Sequence, residues 1–233
     1  MTASAPLRVL ITAFGPFPGA PFNPTPAVAK RLVQLRRPGL SGTDRHLHVF
    51  RTSYGAVDAE LPTLLAREQP DIVLMLGLAA RTRHIRIETR ARNARSVLLS
   101  DRDGRVPRAQ IDCEGPSWLP GRAPFRRLLA ATRSAPVPTR LSRDAGRYLC
   151  NYLYWQVLRQ SKRPAMIAFV HVPQIRTSPT RRRGRVPPTG DDLAQACARI
   201  LTALVAAAQS TTARTEQSAG LKTRRIDLPA SSS

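Results

Sequence analysis

Apolar residues fall along the chain in short runs, punctuated by Pro and Gly, and the runs alternate between strand-like and helix-like spacing. Arg8-Val-Leu-Ile-Thr12 is a short apolar run with β-branched residues and predicts a buried first strand. Ala27 to Leu35 has helical spacing, with Val28, Leu32 and Leu35 on one face and Pro38-Gly39 ending it. Leu47 to Ser53 predicts a second strand, Tyr54 to Glu68 a second helix, and Ile72-Val-Leu-Met-Leu-Gly-Leu78 a central strand. This β-α-β-α-β order predicts an α/β fold, with a parallel or mixed sheet and helices on both faces. Arg83 to Glu88 then alternates, Pro124 opens a short helix to Thr132, and Pro136 to Ser142 reads as a strand. Ala165-Met-Ile-Ala-Phe-Val170 is a further buried strand, and Leu193 to Ala208 a long amphipathic helix with Asp191 and Asp192 at its positive end.

The segments between these runs are of different kinds. Ala13 to Pro26 holds too many prolines and glycines for regular structure, yet its three phenylalanines argue for order, because disordered linkers are poor in aromatics. Residues 105–123 read as a long loop carrying Cys113 and Trp118. Arg176 to Arg185 carries like charges that should leave it solvated. From about Ser210 the chain is rich in Ser, Thr and Arg. The expected organisation is therefore one domain over 1–209 and a disordered basic tail over 210–233.

Two residues stand where chemistry is expected. Asp144-Ala-Gly146 forms a turn that runs into a helical segment with Tyr148, Leu149, Tyr152, Leu153, Trp155 and Val157 facing inward. Cys150 falls in the first turn or two of that helix, where backbone N–H groups and the helix dipole favour a thiolate. His171 follows the strand that ends at Val170, and strand ends are where open α/β sheets gather their sites. Taken singly, each has a plainer reading: a cysteine on a helix is most often packing, and a histidine after a strand is most often structural.

Composition changes the picture only in part. The chain has 233 residues, enough for one sizeable core, and 42% of them are hydrophobic. Its longest apolar runs are too short to span a bilayer, and residues 1–7 lack the pattern of a signal peptide, so no membrane partner and a cytoplasmic location are expected. Cys113, Cys150 and Cys197 show no CxxC spacing, which argues against a zinc site. The formal net charge is +22, carried almost wholly by arginine scattered along the chain, with lysine only at Lys30, Lys162 and Lys222. No zinc-finger spacing or RRM-like aromatic motif accompanies it, so nucleic-acid binding is kept only as an alternative.

These blocks resemble a known family. Asp144-Ala-Gly-x-x-x-Cys150-Asn and Phe169-Val-His171-Val-Pro173 are similar to the cysteine and histidine blocks of the pyroglutamyl peptidase I family. The Ala13–Pro26 loop resembles the family's opening signature through Thr12, Phe14, Gly15, Pro16, Phe17, Gly19, Asn23 and Pro24, with Ala13 and Pro18 replacing two glycines. Gly77, Ala79, Ile85, Glu88, Ala91 and Asn93 match a fourth block. The resemblance spans roughly residues 8–175. It implies a three-layer α/β/α sandwich with a mixed, mostly parallel central sheet, and a cysteine exopeptidase acting on pyroglutamyl peptides through a Glu88–Cys150–His171 triad and an acyl-enzyme, without metal or cofactor. It further implies substrate contacts at Phe14, Phe17, Asn23 and Leu78, and a homo-oligomer, tetramer or dimer. By residue chemistry alone, Phe14 and Phe17 read equally as core packing, and Glu88 as a surface carboxylate. Departures bear on specificity: Leu78 stands where bacterial relatives often carry a glutamine that contacts the lactam, and the segment around Ser100–Gly104 is blurred, leaving Arg95 or Arg102 to stand in for an arginine of the family's site. A hydrolase of altered N-terminal or lactam specificity, and a non-catalytic binding member, therefore remain as alternatives.

Overall fold

The computed structural model describes residues 5–16, 21–161, 165–175 and 187–226, with side chains as far as 212. The expected Arg176–Arg185 charged segment lies wholly outside the described residues. Eight strands and five α-helices follow in the order β1 (Leu7–Phe14), α1 (Thr25–Gln34), β2 (Thr43–Phe50), α2 (Tyr54–Glu68), β3 (Ile72–Leu78), β4 (Ile85–Glu88), β5 (Arg90–Arg92), β6 (Trp118–Pro120), α3 (Phe125–Ala131), β7 (Thr139–Ser142), α4 (Leu149–Gln160), β8 (Met166–Val172) and α5 (Gly190–Ile226), among the described residues. Six strands form one sheet in the order β2-β1-β3-β8-β4-β7. Neighbours run parallel except at β8 and β4, which pair antiparallel. The sheet is thus mixed and mostly parallel, the parallel pairs being those that helical crossovers connect most readily.

Burial explains the order. Every residue of β3 is buried, which a central strand covered on both faces demands. The two cores lie on either side of it, as strand alternation dictates. Leu74 and Leu76 join Val28, Leu32, Leu193, Ile200 and Leu204 on one face, under α1 and α5. Val73 and Met75 join Val57, Leu61, Leu153, Trp155 and Phe169 on the other, under α2 and α4. Helix ends are fixed locally. Ser53 accepts from the backbone N–H of Ala56 at the start of α2, and Gln69 closes that helix in a left-handed conformation. Arg45 donates to the carbonyls of Leu32 and Leu35 at the end of α1. Thr189 and Asp192 cap α5 reciprocally: the Asp192 carboxylate accepts from the Thr189 N–H, and the Thr189 hydroxyl from the Asp192 N–H.

Several expectations are corrected. The second strand begins at Thr43 rather than Leu47, because an edge strand tolerates the polar Thr-Asp-Arg-His run that the apolar pattern passes over. The loop over 105–123 contains β6, which pairs antiparallel with β5 in a small second sheet. Helix α5 continues to Ile226, so residues 210–226 are helical where composition suggested a disordered tail. No proline interrupts 190–226, and extending a formed helix by one residue costs little. Its Gly190–Thr212 part is long and apolar enough to cross a membrane, but 56% of its 18-residue apolar window is buried inside the fold, where it supplies the core of one face.

Gly77 is the position at which the sheet admits α4. It pairs with His171 across β3 and β8, and a Cβ there would lie 2.8 Å from Cys150 Sγ and 2.9 Å from the Phe169 ring. Gly77→Ala is therefore expected to push the start of α4 off the sheet. Thermal denaturation should show a loss of about 1–3 kcal/mol, accompanied by slower alkylation of Cys150.

Candidate active site

Strand alternation brings the candidate residues to one face of the sheet. Ile167 and Phe169 point into the α2–α4 core, so His171, two further on, projects from that face at the carboxyl end of β8. Helix α4 starts over the same place. Tyr148 is its N-cap and supplies no side-chain cap, so the first-turn N–H groups, that of Cys150 included, stay directed outward. Asn151 anchors this start, exchanging hydrogen bonds with the backbone of Arg92 at 2.8 Å in each direction and donating to the Ala94 carbonyl at 2.9 Å. Gly146 supplies the left-handed residue (φ 82°) of the turn before it.

Glu88 closes the constellation from the antiparallel side. It is wholly buried, and its Oε1 accepts from His171 Nδ1 at 2.8 Å. The imidazole is also hydrogen-bonded to Cys150. Burial pulls the proton affinity of His171 down, but the hydrogen bonds and negative charge of Cys150 and Glu88 outweigh it, and the imidazolium is raised to about 9. The rings of Phe169, 4.9 Å from His171, and Tyr154 wall the pair, and the Tyr154 hydroxyl donates to the Glu88 carbonyl at 3.1 Å. Glu88, Cys150 and His171, read as candidates from sequence, are therefore brought together. Cys197 lies in the α5 core, its thiol pushed up to about 12 by burial, and Cys113 is exposed.

The other candidates fall differently. Phe14 is on the same sheet face as His171 but only 3% exposed, its ring 5.9 Å from that of Phe50, so it meets the core-packing reading. Phe17 lies outside the described residues. Asn23 spends its amide on the loop, donating to the carbonyls of Phe14 and Gly15 and accepting from Thr25. Leu78 is buried next to Gly77, on the opposite side of the pleat from the face that carries Cys150 and His171. Asn93 is a staple, binding the backbone of Ile111, Asp112 and Gly115. Arg95 donates to the carbonyls of Arg108 and Gln110 and covers the Tyr152 ring, well occupied by its own loop. Arg102 enters through its backbone N–H, which binds the Thr52 carbonyl.

The arginine that does reach Glu88 is one that sequence reading passed over. Arg86 donates to Glu88 Oε1 from Nε at 2.9 Å and from Nη2 at 2.7 Å, and Nη2 also donates to the carbonyl of Asp144. Its signal was the period of two: residues 86 and 88 of one strand share a face, so a buried Glu88 brings Arg86 with it. Among the many arginines of this chain that spacing did not stand out.

Comparison with known proteins shows what the chain as a whole is similar to. A family model described as pyroglutamyl peptidase matches residues 7–211. The pyrrolidone-carboxylate peptidase of Gloeobacter violaceus is 31% identical over 182 residues, covering 77% of this chain and 87% of that protein. That of Deinococcus radiodurans is 33% identical over 170 residues, covering 71% and 77%. Among solved structures, pyrrolidone carboxyl peptidase from Thermus thermophilus superposes with a TM-score of 0.73 at 31% identity, over 84% of this chain and all of that one. The enzyme from Thermococcus litoralis gives 0.76 at 27% identity, over 87% and 95%. With the family model matched over residues 7–211 and relatives above 30% identity covered over most of their length, the chain belongs to the pyroglutamyl peptidase family.

Proposed function

We propose that this chain is a cysteine exopeptidase that hydrolyses the amide bond after an N-terminal pyroglutamyl residue. The observation that carries the reading is the single imidazole bonded on one side to a buried carboxylate and on the other to a thiol at a helix N-terminus. In that geometry Cys150 is the nucleophile, His171 the acid and base, and Glu88 the group that orients the imidazole and stabilises its charged form.

The steps follow from the chemistry of those groups. With Nδ1 held by Glu88, the other ring nitrogen faces the thiol and takes its proton. The Cys150 sulfur attacks the pyroglutamyl carbonyl carbon, and the oxyanion is met by first-turn N–H groups of α4, that of Cys150 among them. The proton on His171 passes to the departing amine as the C–N bond breaks, leaving a thioester. Water, deprotonated by the now neutral His171, adds to the thioester, and expulsion of the thiolate regenerates the pair. The acyl group is placed by the loops gathered at this end of the sheet: Gly15 and Pro16, whose carbonyls accept from Thr52, and Tyr148, whose hydroxyl donates to the Ser100 carbonyl. A neutral lactam enters such a site at lower desolvation cost than the ammonium of an ordinary peptide.

A second reading rests on Leu78, whose side chain can neither donate to nor accept from a lactam. It keeps the same acyl-transfer steps on another N-blocked substrate. Release of a fluorophore from a pyroglutamyl amide, with an alanyl amide as control, decides between them. Turnover of the pyroglutamyl amide alone is expected, and Cys150→Ala should reduce it by about a thousandfold or more. Labelling by iodoacetamide at neutral pH should favour Cys150 over buried Cys197. Turnover of neither amide with a rapidly labelled Cys150 would move the case to the second reading.

The raised imidazolium makes a pH prediction as well. The departing amine needs the protonated ring, so kcat is expected to hold through neutral pH and fall as pH passes about 9. Because the folded value lies above the ordinary 6.5, the stability it contributes is full below about 6.5 and is lost as pH rises through about 9. Tm should therefore decline across that window in the parent protein, and the decline should flatten in His171→Ala. A Tm that rises over the same window would contradict the pairing.

A further inference from the structure

Glu88 is buried with both of its charged partners on the same oxygen. His171 Nδ1 and the Arg86 guanidinium all reach Oε1, while Oε2 has no protein partner among the described residues. Arg86 stands directly opposite His171 in the β4–β8 register, and its side chain is mostly covered. Its Nη2 also donates to the carbonyl of Asp144, in the turn that leads to α4. That turn is itself shaped by the Asp144 carboxylate, which accepts from the Gly146 N–H at 3.0 Å and lies 3.5 Å from Arg92. One guanidinium therefore touches both the carboxylate that orients the imidazole and the segment that delivers the cysteine.

We infer that Arg86 is a positioning residue of this site, a rigid fork that fixes the Glu88 carboxylate and ties it to the Asp144 turn ahead of Cys150. The assignment deepens the proposed Glu88–Cys150–His171 chemistry and rests on it. A planar guanidinium can serve two acceptors in one plane, which an ammonium on a flexible stem cannot do with the same geometry. Its charge has a second effect. Arg86 shares the negative charge of Glu88, and so moderates how strongly that carboxylate holds the proton on His171. The groups that face His171 are Cys150 from α4 and Glu88 and Arg86 from β4, with the Tyr154 hydroxyl on the Glu88 carbonyl and the uncharged Phe169 ring beside it.

The test uses the full chain and two readouts. The sequence has four histidines, so carbon-13 histidine labelling resolves their titrations by NMR, and His171→Gln identifies the signal of His171. In Arg86→Met the His171 midpoint is expected to rise above its parent value. Turnover of the pyroglutamyl amide should show kcat lowered on the order of tenfold with KM little changed, because the reacting groups are displaced rather than removed. Arg86→Lys, which keeps the charge without the fork, should retain the parent midpoint and lose part of kcat. A His171 midpoint that stays in place or falls in Arg86→Met overturns the assignment. Parental kcat in Arg86→Lys does the same. If Arg86→Met does not fold, Arg86→Gln takes its place with the same expected rise. A parent protein silent on the amide, in which the midpoint still rises on losing Arg86, overturns the substrate reading and leaves the role of Arg86 standing.

Discussion

A carboxylate without solvent exposure has to be compensated where it lies. Glu88 sits at the end of β4 beneath α4, and its charge is balanced by the imidazole of His171 and the guanidinium of Arg86. Removing one partner of such a pair costs about 3–5 kcal/mol, because the remaining charge is stranded in the interior. The constraint reaches beyond the site. Strand β4 must lie against β8 so that the two side chains meet, α4 must begin over them, and the turn at Asp144 must offer its carbonyl to Arg86. A polar cluster satisfied in this way specifies one arrangement of three chain segments that apolar contacts alone would leave freer.

The sheet supplies the platform. Strands β1, β3 and β8 run parallel and end together, so the loops after them collect at one edge. Strand β4 then runs the other way, which sets the register of Arg86 and Glu88 against the end of β8. The missing side chain of Gly77 leaves room for the Cys150 sulfur, and Asn151 pins the same helix start to the strand β5 backbone. The polar groups of the candidate site thus hang from strands and from a helix terminus, and rigid elements of this kind keep a constellation in place better than loops do.

The arginine excess has several local outlets. Arg45 caps a helix, Arg95 staples a loop, Arg122 donates to the carbonyl of Leu158, and Arg159 pairs with Asp112. In each of these cases a guanidinium satisfies backbone carbonyls or a carboxylate of its own neighbourhood. Such uses need no shared partner and no common face, which is how a large net positive charge can accompany a protein of this fold.

Much was legible before any coordinates. Strong apolar runs such as Ile72–Leu78 and Ala165–Val170 announced buried strands, because continuous burial on both faces leaves a continuous apolar record. Cys150 and His171 stood out by their places at a helix start and a strand end, while Glu88 was legible only through resemblance to a family block. Less visible were the polar edge strand β2, the short β5–β6 pair and the helical continuation of α5, all of which are stabilised by neighbours or by propagation rather than by their own apolar pattern. What the sequence by itself determined was the alternation of buried elements, because that is a local property of residue type and spacing; Glu88, Cys150 and His171 it offered as candidates through their resemblance to family blocks. Only the tertiary structure decided that Arg86 and not Arg95 meets Glu88, that Leu78 turns away while Gly77 makes room, and that Asn23 is spent on its own loop. The first two outcomes depend on strand direction and register across segments distant in sequence, and a one-residue change of register would reverse them; the third depends on the local path of the loop that Asn23 closes.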